Sequence, residues 1–174
     1  DPIEMVEAAF NQMQVQHSID LGFADGVRAL MRQDPDIVMI GEIRDLETAE
    51  MAIQAALTGH LVLSSLHTND APSAITRLLD LGVPAYLINS TLLGVMAQRL
   101  VRTLCPSCKQ PYSIRDEQRE AWNSLVAPWK SNHPAHVHHP VGCLECRMTG
   151  YMGRVGLYEI LVMSPELRKL VKPQ

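Results

Sequence analysis

The sequence predicts an α/β fold with a parallel sheet, followed by a small metal-binding segment. Two continuous apolar runs, 37–40 and 61–66, have the composition of strands covered on both faces, which is typical of parallel sheets. A stretch of helical periodicity separates them, and strand–helix–strand order places parallel strands side by side. Two Cys-x-x-Cys pairs follow this alternating region. The composition therefore changes near Cys105.

The helices around the first strand have recognisable boundaries. Residues 22–33 carry apolar side chains at helical spacing, and Pro35 ends that helix. Asp45 is a suitable N-cap for a second helix that reaches Leu57, and Gly59 ends it. Small residues in this second helix allow it to lie close to the sheet.

The elements after the second strand follow from similar signals. Asp70 can cap a helix that Gly82 ends, and residues 84–97 are predicted to form a further helix. Beyond the cysteines, residues 155–162 have a strand composition, and Ser164 begins a short terminal helix.

Charge and length restrict the classes of function. The chain has 174 residues, 47% of them apolar, which is enough to bury a core. Its net charge of −4 and pI near 6.0 argue against a general nucleic-acid or membrane-surface binder. Residues 99–154 nevertheless carry eight Lys and Arg against four Asp and Glu. No run reaches the roughly 18 apolar residues of a spanning helix, which predicts a cytosolic protein without membrane insertion.

Polar side chains follow both predicted strands. Glu42 comes just after the first strand and His67 just after the second. Ligands of α/β sheets collect at the carboxyl ends of the strands, so we expect both side chains at one crevice. A carboxylate there can orient an attacking water, and an imidazole can donate to a phosphoryl oxygen. The alternative is that Glu42 is an exposed loop carboxylate and that His60 and His67 are ordinary surface or core histidines.

Three stretches of the sequence resemble motifs of a known family. Residues 1–4, 32–49 and 58–69 look like the Asp box, Walker B motif and His box of the ATPases that power type II secretion and type IV pilus assembly. The resemblance covers essentially the whole chain. It implies a partial RecA-like P-loop NTPase domain that uses ATP and Mg²⁺ within a cytoplasmic homo-hexamer at the bacterial inner membrane, where an inner-membrane platform protein is the partner.

The resemblance also implies roles for individual residues. Glu42 would activate water, and His67 would contact the γ-phosphate. Further candidates for nucleotide or metal binding are Asp1, Glu4, His60, Arg28, Arg32 and Arg44. For the three arginines the alternative is a helix-surface ion pair of little energetic value.

One motif of the family is missing from this sequence. No Gly-x-x-x-x-Gly-Lys-Ser/Thr is present, and none of the four lysines follows a glycine. The phosphate-binding loop and its lysine are therefore absent. We expect this chain alone to bind ATP poorly and not to hydrolyse it.

The four cysteines have the spacing of a closed zinc site. Cys105 and Cys108 form one pair and Cys143 and Cys146 the other, with 34 residues between the two pairs. A tetrahedral Zn²⁺ would tie the two turns together and replace an apolar core. The alternatives are four reduced thiols or a redox pair. Histidines in 133–140 are assigned to a solvated loop, because four sulfurs already complete the coordination shell.

These observations give a three-part organisation and a leading function. Residues 1–98 belong to the ATPase domain, 99–154 form the tetracysteine zinc subdomain, and 155–174 form a terminal strand and helix. The cysteine pattern is similar to that of secretion and pilus-assembly ATPases, whereas retraction ATPases generally lack it. The alternatives are a zinc-stabilised interaction module with a structural ATPase remnant, and a zinc-ribbon nucleic-acid binder, which the lack of interleaved aromatic residues disfavours.

Overall fold

The chain divides into two compact units. The computed structural model describes residues 3–127, 132 and 134–172. The first unit comprises Asp1–Ala97 and Tyr158–Gln174, and the second comprises Gln98–Leu157. Among the described residues, no helix has both the length and the apolar character needed to cross a bilayer.

Two parallel strands form the sheet of the first unit. β1 (Ile37–Ile40) pairs with β2 (Leu61–Ser64), and the helix α2 (Leu46–Leu57) connects them. Ile37 lies opposite Leu61 in the register. The predicted parallel α/β arrangement is therefore confirmed.

α2 begins and ends where its flanking residues predict. The Asp45 carboxylate accepts the backbone N–H of Thr48 at 2.8 Å, which caps the first turn. The helix ends at Thr58, and Gly59 follows with a φ of +100°, a conformation that side chains with a Cβ rarely adopt.

Three further helices of the first unit also match the sequence signals. α1 (Phe23–Leu30) continues into a short 3₁₀ helix, Met31–Gln33. α3 (Ala71–Asp80) is capped by Asp70, which accepts the N–H of Ser73 at 2.8 Å. The terminal helix, designated α6 because two more helices precede it, spans Pro165–Leu170 and is capped by Ser164.

The β1–β2 sheet is covered on one face only. Val38 and Ile40 are buried against Val27 of α1 and Ala52 of α2. The opposite face is apolar but exposed, and it consists of Ile37, Met39, Leu61 and Leu63, of which Met39 is 77% exposed. The expectation of strands buried on both faces is therefore wrong for the described residues, because no described helix packs on the second face.

A larger apolar core lies on the other side of α2. Its buried residues come from five parts of the first unit: Ala49, Ile53, Ile75, Val83, Ala85, Ile88, Met163 and Val171. This core includes residues of α6 and its flanks, so the end of the chain packs with the α/β part.

The predicted helix over 84–97 is only half right. The helix α4 spans only Ala85–Thr91, and the strand β3 (Gly94–Leu104) begins three residues after its end. β3 pairs with β6 (Tyr151–Val162), which contains the predicted strand 155–162. A Cβ on Gly94 would lie 2.9 Å from the carbonyl oxygen of Leu161, so the close pairing requires glycine. Pairing with a distant strand overrides the local helical preference.

The second unit contains three elements that the sequence did not indicate. β4 (Gln110–Ser113) pairs antiparallel with β5 (His136–His139), and α5 (Asp116–Val126) lies between them in sequence. The prediction of a solvated loop is therefore wrong for 136–139, since these histidines form a strand. His133 lies outside the described residues.

Candidate functional site

An open cleft lies at the carboxyl ends of β1 and β2. It has a volume of about 480 Å³, and its lining residues are Glu42, Ile43, Arg44, His67 and Arg77. The two loops that form it are joined, because the N–H of Ile43 donates to the carbonyl of Ser65 at 3.0 Å and the Ser65 hydroxyl donates to the carbonyl of Gly41 at 2.6 Å. The cleft is therefore built on the sheet and not on free loops.

Glu42 is the buried residue of this cleft. Its side chain forms an ion pair with Arg44, and Nε2 of His67 lies 3.0 Å from Oε2 of Glu42. Glu42 is only 3% exposed, whereas the His67 side chain is 90% exposed. The buried carboxylate of Glu42 thus contacts the guanidinium of Arg44 and the imidazole of His67.

One oxygen of Glu42 faces His67. Oε2 is buried and lies 3.0 Å from Nε2 of His67, without a hydrogen bond of good geometry from any described residue. A buried acceptor is costly to leave without a well-placed donor, so this oxygen favours a donor in addition to His67.

The surroundings of Glu42 keep it ionised. The hydrogen bond with Arg44 is the largest cause that lowers the pKa of Glu42; burial opposes it, and the charges of Arg44 and of protonated His67 add to the lowering. The same contact raises the pKa of Arg44. An ionised carboxylate is the form that can accept a proton from water.

Arg77 is a cleft residue that sequence reasoning missed. It lies in the last turn of α3, the helix that follows the His67 loop. No motif points to it, because its approach to Glu42 depends on how α3 packs. The sequence feature that could have identified Arg77 is its position on the predicted helix that begins just after the second strand.

The other predicted nucleotide-site residues do not line the cleft. Arg28 pairs with Asp25 of its own helix at 2.7 Å. His60 lies at the amino end of β2, where its Nδ1 is 3.0 Å from the carbonyl oxygen of Ala55. Arg32 and Glu4 are absent from the described cleft lining, and Asp1 lies outside the described residues.

The four predicted cysteine ligands come together in the second unit. Their sulfurs all lie within 4.8 Å of one another, with Cys105–Cys143 and Cys108–Cys146 both 3.9 Å apart and Cys143–Cys146 3.7 Å apart. Zn²⁺ bound at about 2.3 Å by a tetrahedron of sulfurs separates them by roughly 3.8 Å. A disulfide would need about 2.05 Å. The cluster can hold a metal ion.

Backbone N–H groups point at the cysteine sulfurs. The N–H of Gly142 donates to Cys108 at 3.3 Å, and those of Cys143 and Gly150 donate to Cys146 at 3.2 Å. Burial is the largest influence on both thiols. It raises the pKa of Cys108 to about 11, whereas at Cys146 the N–H donors and neighbouring sulfurs outweigh it and lower the pKa to about 6. Such donors stabilise thiolates, the form that binds metal.

Comparisons with known proteins agree on one family. The sequence model described as Type II/IV secretion system protein matches residues 1–174. The chain is 61% identical over all its residues to the type IV pilus assembly ATPase TfpB of Acinetobacter baylyi and 52% identical over 98% of them to the type II secretion system ATPase E of Vibrio cholerae. It spans 29% and 33% of those two proteins, so it corresponds to about a third of their length.

Solved structures of ATPases have the same fold. The pilus retraction motor PilT with bound ADP is 30% identical, with a TM-score of 0.55, covering 87% of this chain and 32% of PilT. The Legionella pneumophila ATPase DotB is 27% identical, with a TM-score of 0.59, covering 97% of this chain and 37% of DotB. The predicted fold class, part of a P-loop ATPase domain, is confirmed.

Proposed function

The chain belongs to the Type II/IV secretion system protein family, and we propose that it is part of an ATPase that powers type II secretion or type IV pilus assembly. The parent is the longer protein, of the kind its relatives represent, in which this chain is a segment. The observation that carries the proposal is Glu42, a buried carboxylate that is paired with Arg44 and lies beside His67 at an open cleft.

The geometry supports a separate role for each cleft residue in ATP hydrolysis. Glu42 accepts a proton from the attacking water. His67 and Arg77 line the mouth of the cleft and donate to phosphate oxygens, while Arg44 holds Glu42 ionised. Mg²⁺ would neutralise charge on the phosphates when bound.

ATP turnover requires more than this chain. The sequence has no Gly-x-x-x-x-Gly-Lys-Ser/Thr, and phosphoryl transfer depends on such a cradle to hold the β- and γ-phosphates. We propose that the phosphate-binding loop comes from the rest of the parent and that this chain alone is inactive. The other predicted nucleotide-site residues are proposed to act together with segments or subunits beyond this chain. They are Asp1, Glu4, Arg28, Arg32 and His60.

We propose that the cysteine cluster of the second unit is a structural zinc site. Sulfur separations of 3.7–3.9 Å fit tetrahedral Zn²⁺, and four thiolates leave no open position for a substrate. This proposal keeps the predicted organisation into 1–98, 99–154 and 155–174.

The resemblance to secretion and pilus-assembly ATPases implies an assembly for the parent. We propose that the parent is a cytoplasmic homo-hexamer that acts on an inner-membrane platform protein and not on nucleic acid. Hydrolysis at the cleft would drive the conformational change passed to that partner.

The function is tested by Glu42→Gln in the full-length parent. This change keeps the shape of the side chain and removes the base, so we expect ATPase kcat to fall at least about 100-fold. Glu50→Gln on the exposed face of α2 is the matched control and should leave turnover unchanged. Full turnover by Glu42→Gln would remove Glu42 from its role.

A second function is favoured by exposed apolar residues near the cysteines. Leu144 is 90% exposed and Met148 is 67% exposed, which suits a zinc-stabilised interaction module. In that case, cells carrying Glu42→Gln would secrete or assemble pili normally, whereas cells carrying Leu144→Asp would not. The ATPase proposal predicts that Glu42→Gln abolishes both processes.

A further inference from the structure

A carboxylate of β6 caps the helix that follows the His67 loop. Oε2 of Glu159 accepts the backbone N–H of Ala71, the first residue of α3, at 2.8 Å. The two residues are 88 positions apart, and both belong to the first unit. This contact is therefore a tertiary one, which the fold must bring about.

Glu159 supplies what the local sequence of α3 lacks. Asp70 accepts the N–H of Ser73, and Pro72 has no N–H, so the remaining donor at the start of the helix is Ala71. Ala71 is 0% exposed, which keeps its N–H away from bulk water. Without Glu159 this buried donor loses its partner, and a negative charge is lost from a helix N-terminus.

The capped segment carries two cleft residues. His67 lies four positions before Ala71, and Arg77 lies six positions after it on α3. Between them, the Thr68 hydroxyl donates to the carbonyl of Asp70 at 3.0 Å, which stiffens the loop. A shift at the start of α3 would move both nitrogen groups relative to Glu42.

We propose that Glu159 is a positioning residue that fixes His67 and Arg77 over Glu42. The inference rests on the proposed ATPase function and adds a residue from the far end of the chain to that site. A displacement of about 1 Å can cost up to about 100-fold in rate when a group acts only on the transition state. Glu159 should therefore affect kcat more than KM.

The first test compares Glu159→Leu with Glu159→Gln in the full-length parent. Leu removes the acceptor, so we expect kcat for ATP to fall about tenfold with KM changed less than about twofold. Gln keeps an oxygen at the same position and should retain at least half of kcat. Glu50→Leu, an exposed carboxylate on α2, is the control. The proposal would be overturned if Glu159→Leu had the same kcat as the wild type. It would also be overturned if Glu159→Gln lost as much kcat as Glu159→Leu.

The second test asks whether Glu159 acts through His67 and Arg77. In a background that carries both His67→Ala and Arg77→Ala, Glu159→Leu should lower kcat by less than about twofold, because both groups that it positions are already gone. A further tenfold loss would show that Glu159 acts elsewhere and overturn the proposal. Glu159→Asp, whose shorter side chain cannot reach Ala71, serves in both tests if the Leu variant does not fold.

Amide hydrogen exchange separates this inference from the ATPase proposal. Exchange across 67–73 should rise at least about tenfold in Glu159→Leu and not in Glu159→Gln, whatever the ATPase activity. Unchanged exchange would overturn the positioning role alone. Full turnover by Glu42→Gln would instead overturn the ATPase role and leave the exchange result standing.

Discussion

The ionisation of Glu42 depends on two neighbouring side chains. Arg44 lowers the pKa of Glu42 below the ordinary value of 4.5, mainly through its hydrogen bond, and His67 adds to this when protonated. Because the folded state lowers this pKa, the contribution of Glu42 to stability is present above the unfolded pKa. It is lost as the pH falls through the folded pKa.

The residue-scale prediction concerns Arg44→Gln in the full-length parent. Removing the guanidinium lets the pKa of Glu42 rise, so the base protonates at a higher pH. We expect the acid limb of the pH profile of kcat/KM for ATP to move to higher pH. Arg119→Gln on the exposed face of α5 should leave the limb in place. An unchanged limb in Arg44→Gln would contradict control of Glu42 by Arg44.

Sequence reasoning found the cleft residues that directly follow a strand. Glu42 and His67 could be placed at one edge because parallel strands align their carboxyl ends, and the two side chains do touch. Their catalytic roles stay predictions. His60 shares a motif with His67 but lies at the opposite end of β2, next to the last turn of α2. Arg77 was missed because helix packing, which no local pattern encodes, brings it to the cleft.

At the scale of elements, local signals succeeded where a helix has its own caps. α2 and α3 begin at the predicted residues because Asp45 and Asp70 each accept an N–H within their own first turn. β3 and β5 were missed because each depends on a strand far away in sequence. Their residues have no strict alternation that would have indicated a strand.

The element-scale prediction concerns the glycines beside the cysteine turn. Gly150 and Gly153 have nearly equal φ angles, +76° and +77°, but a Cβ would lie 2.5 Å from Pro140 at Gly150 and no closer than 3.8 Å to any atom at Gly153. Gly150 also donates its N–H to Cys146. In the parent, Gly150→Ala should therefore release bound zinc to a chelator at least about tenfold faster than Gly153→Ala.

That comparison isolates the role of the turn. Both variants place an alanine at nearly the same φ, so the comparison tests the contact with Pro140 and the position of the N–H donated to Cys146. Equal release rates for the two variants would contradict a role of the Gly150 turn in holding the metal.

At the scale of the whole molecule, the first unit has an apolar face with no described cover. Ile37, Met39, Leu61 and Leu63 form it, and the chain spans only about a third of its relatives. We expect the remainder of the parent to cover this face, since exposed apolar patches of this kind are unfavourable in water. Such a cover would explain why these strands have the composition of strands buried on both faces.

The two units also differ in what stabilises them. Both clusters of buried apolar residues belong to the first unit, whereas the buried residues described in the second are chiefly Cys105, Cys146 and Ile114. A unit of about 60 residues with so small a core needs another source of stability. A metal bound by the four thiolates would supply it, because binding free energy becomes folding free energy.

The last prediction follows from this difference. In the full-length parent, Cys143→Ser removes one thiolate, so bound zinc should fall from about one per chain to near zero and amide exchange across 98–157 should rise at least about tenfold. Exchange across α2 should change little, because its buried residues pack in the apolar cores. Leu144→Ser, a change to an exposed neighbour in the same turn, should leave zinc and exchange unchanged. Loss of zinc without faster exchange in 98–157 would show that the second unit is stabilised by something other than the metal.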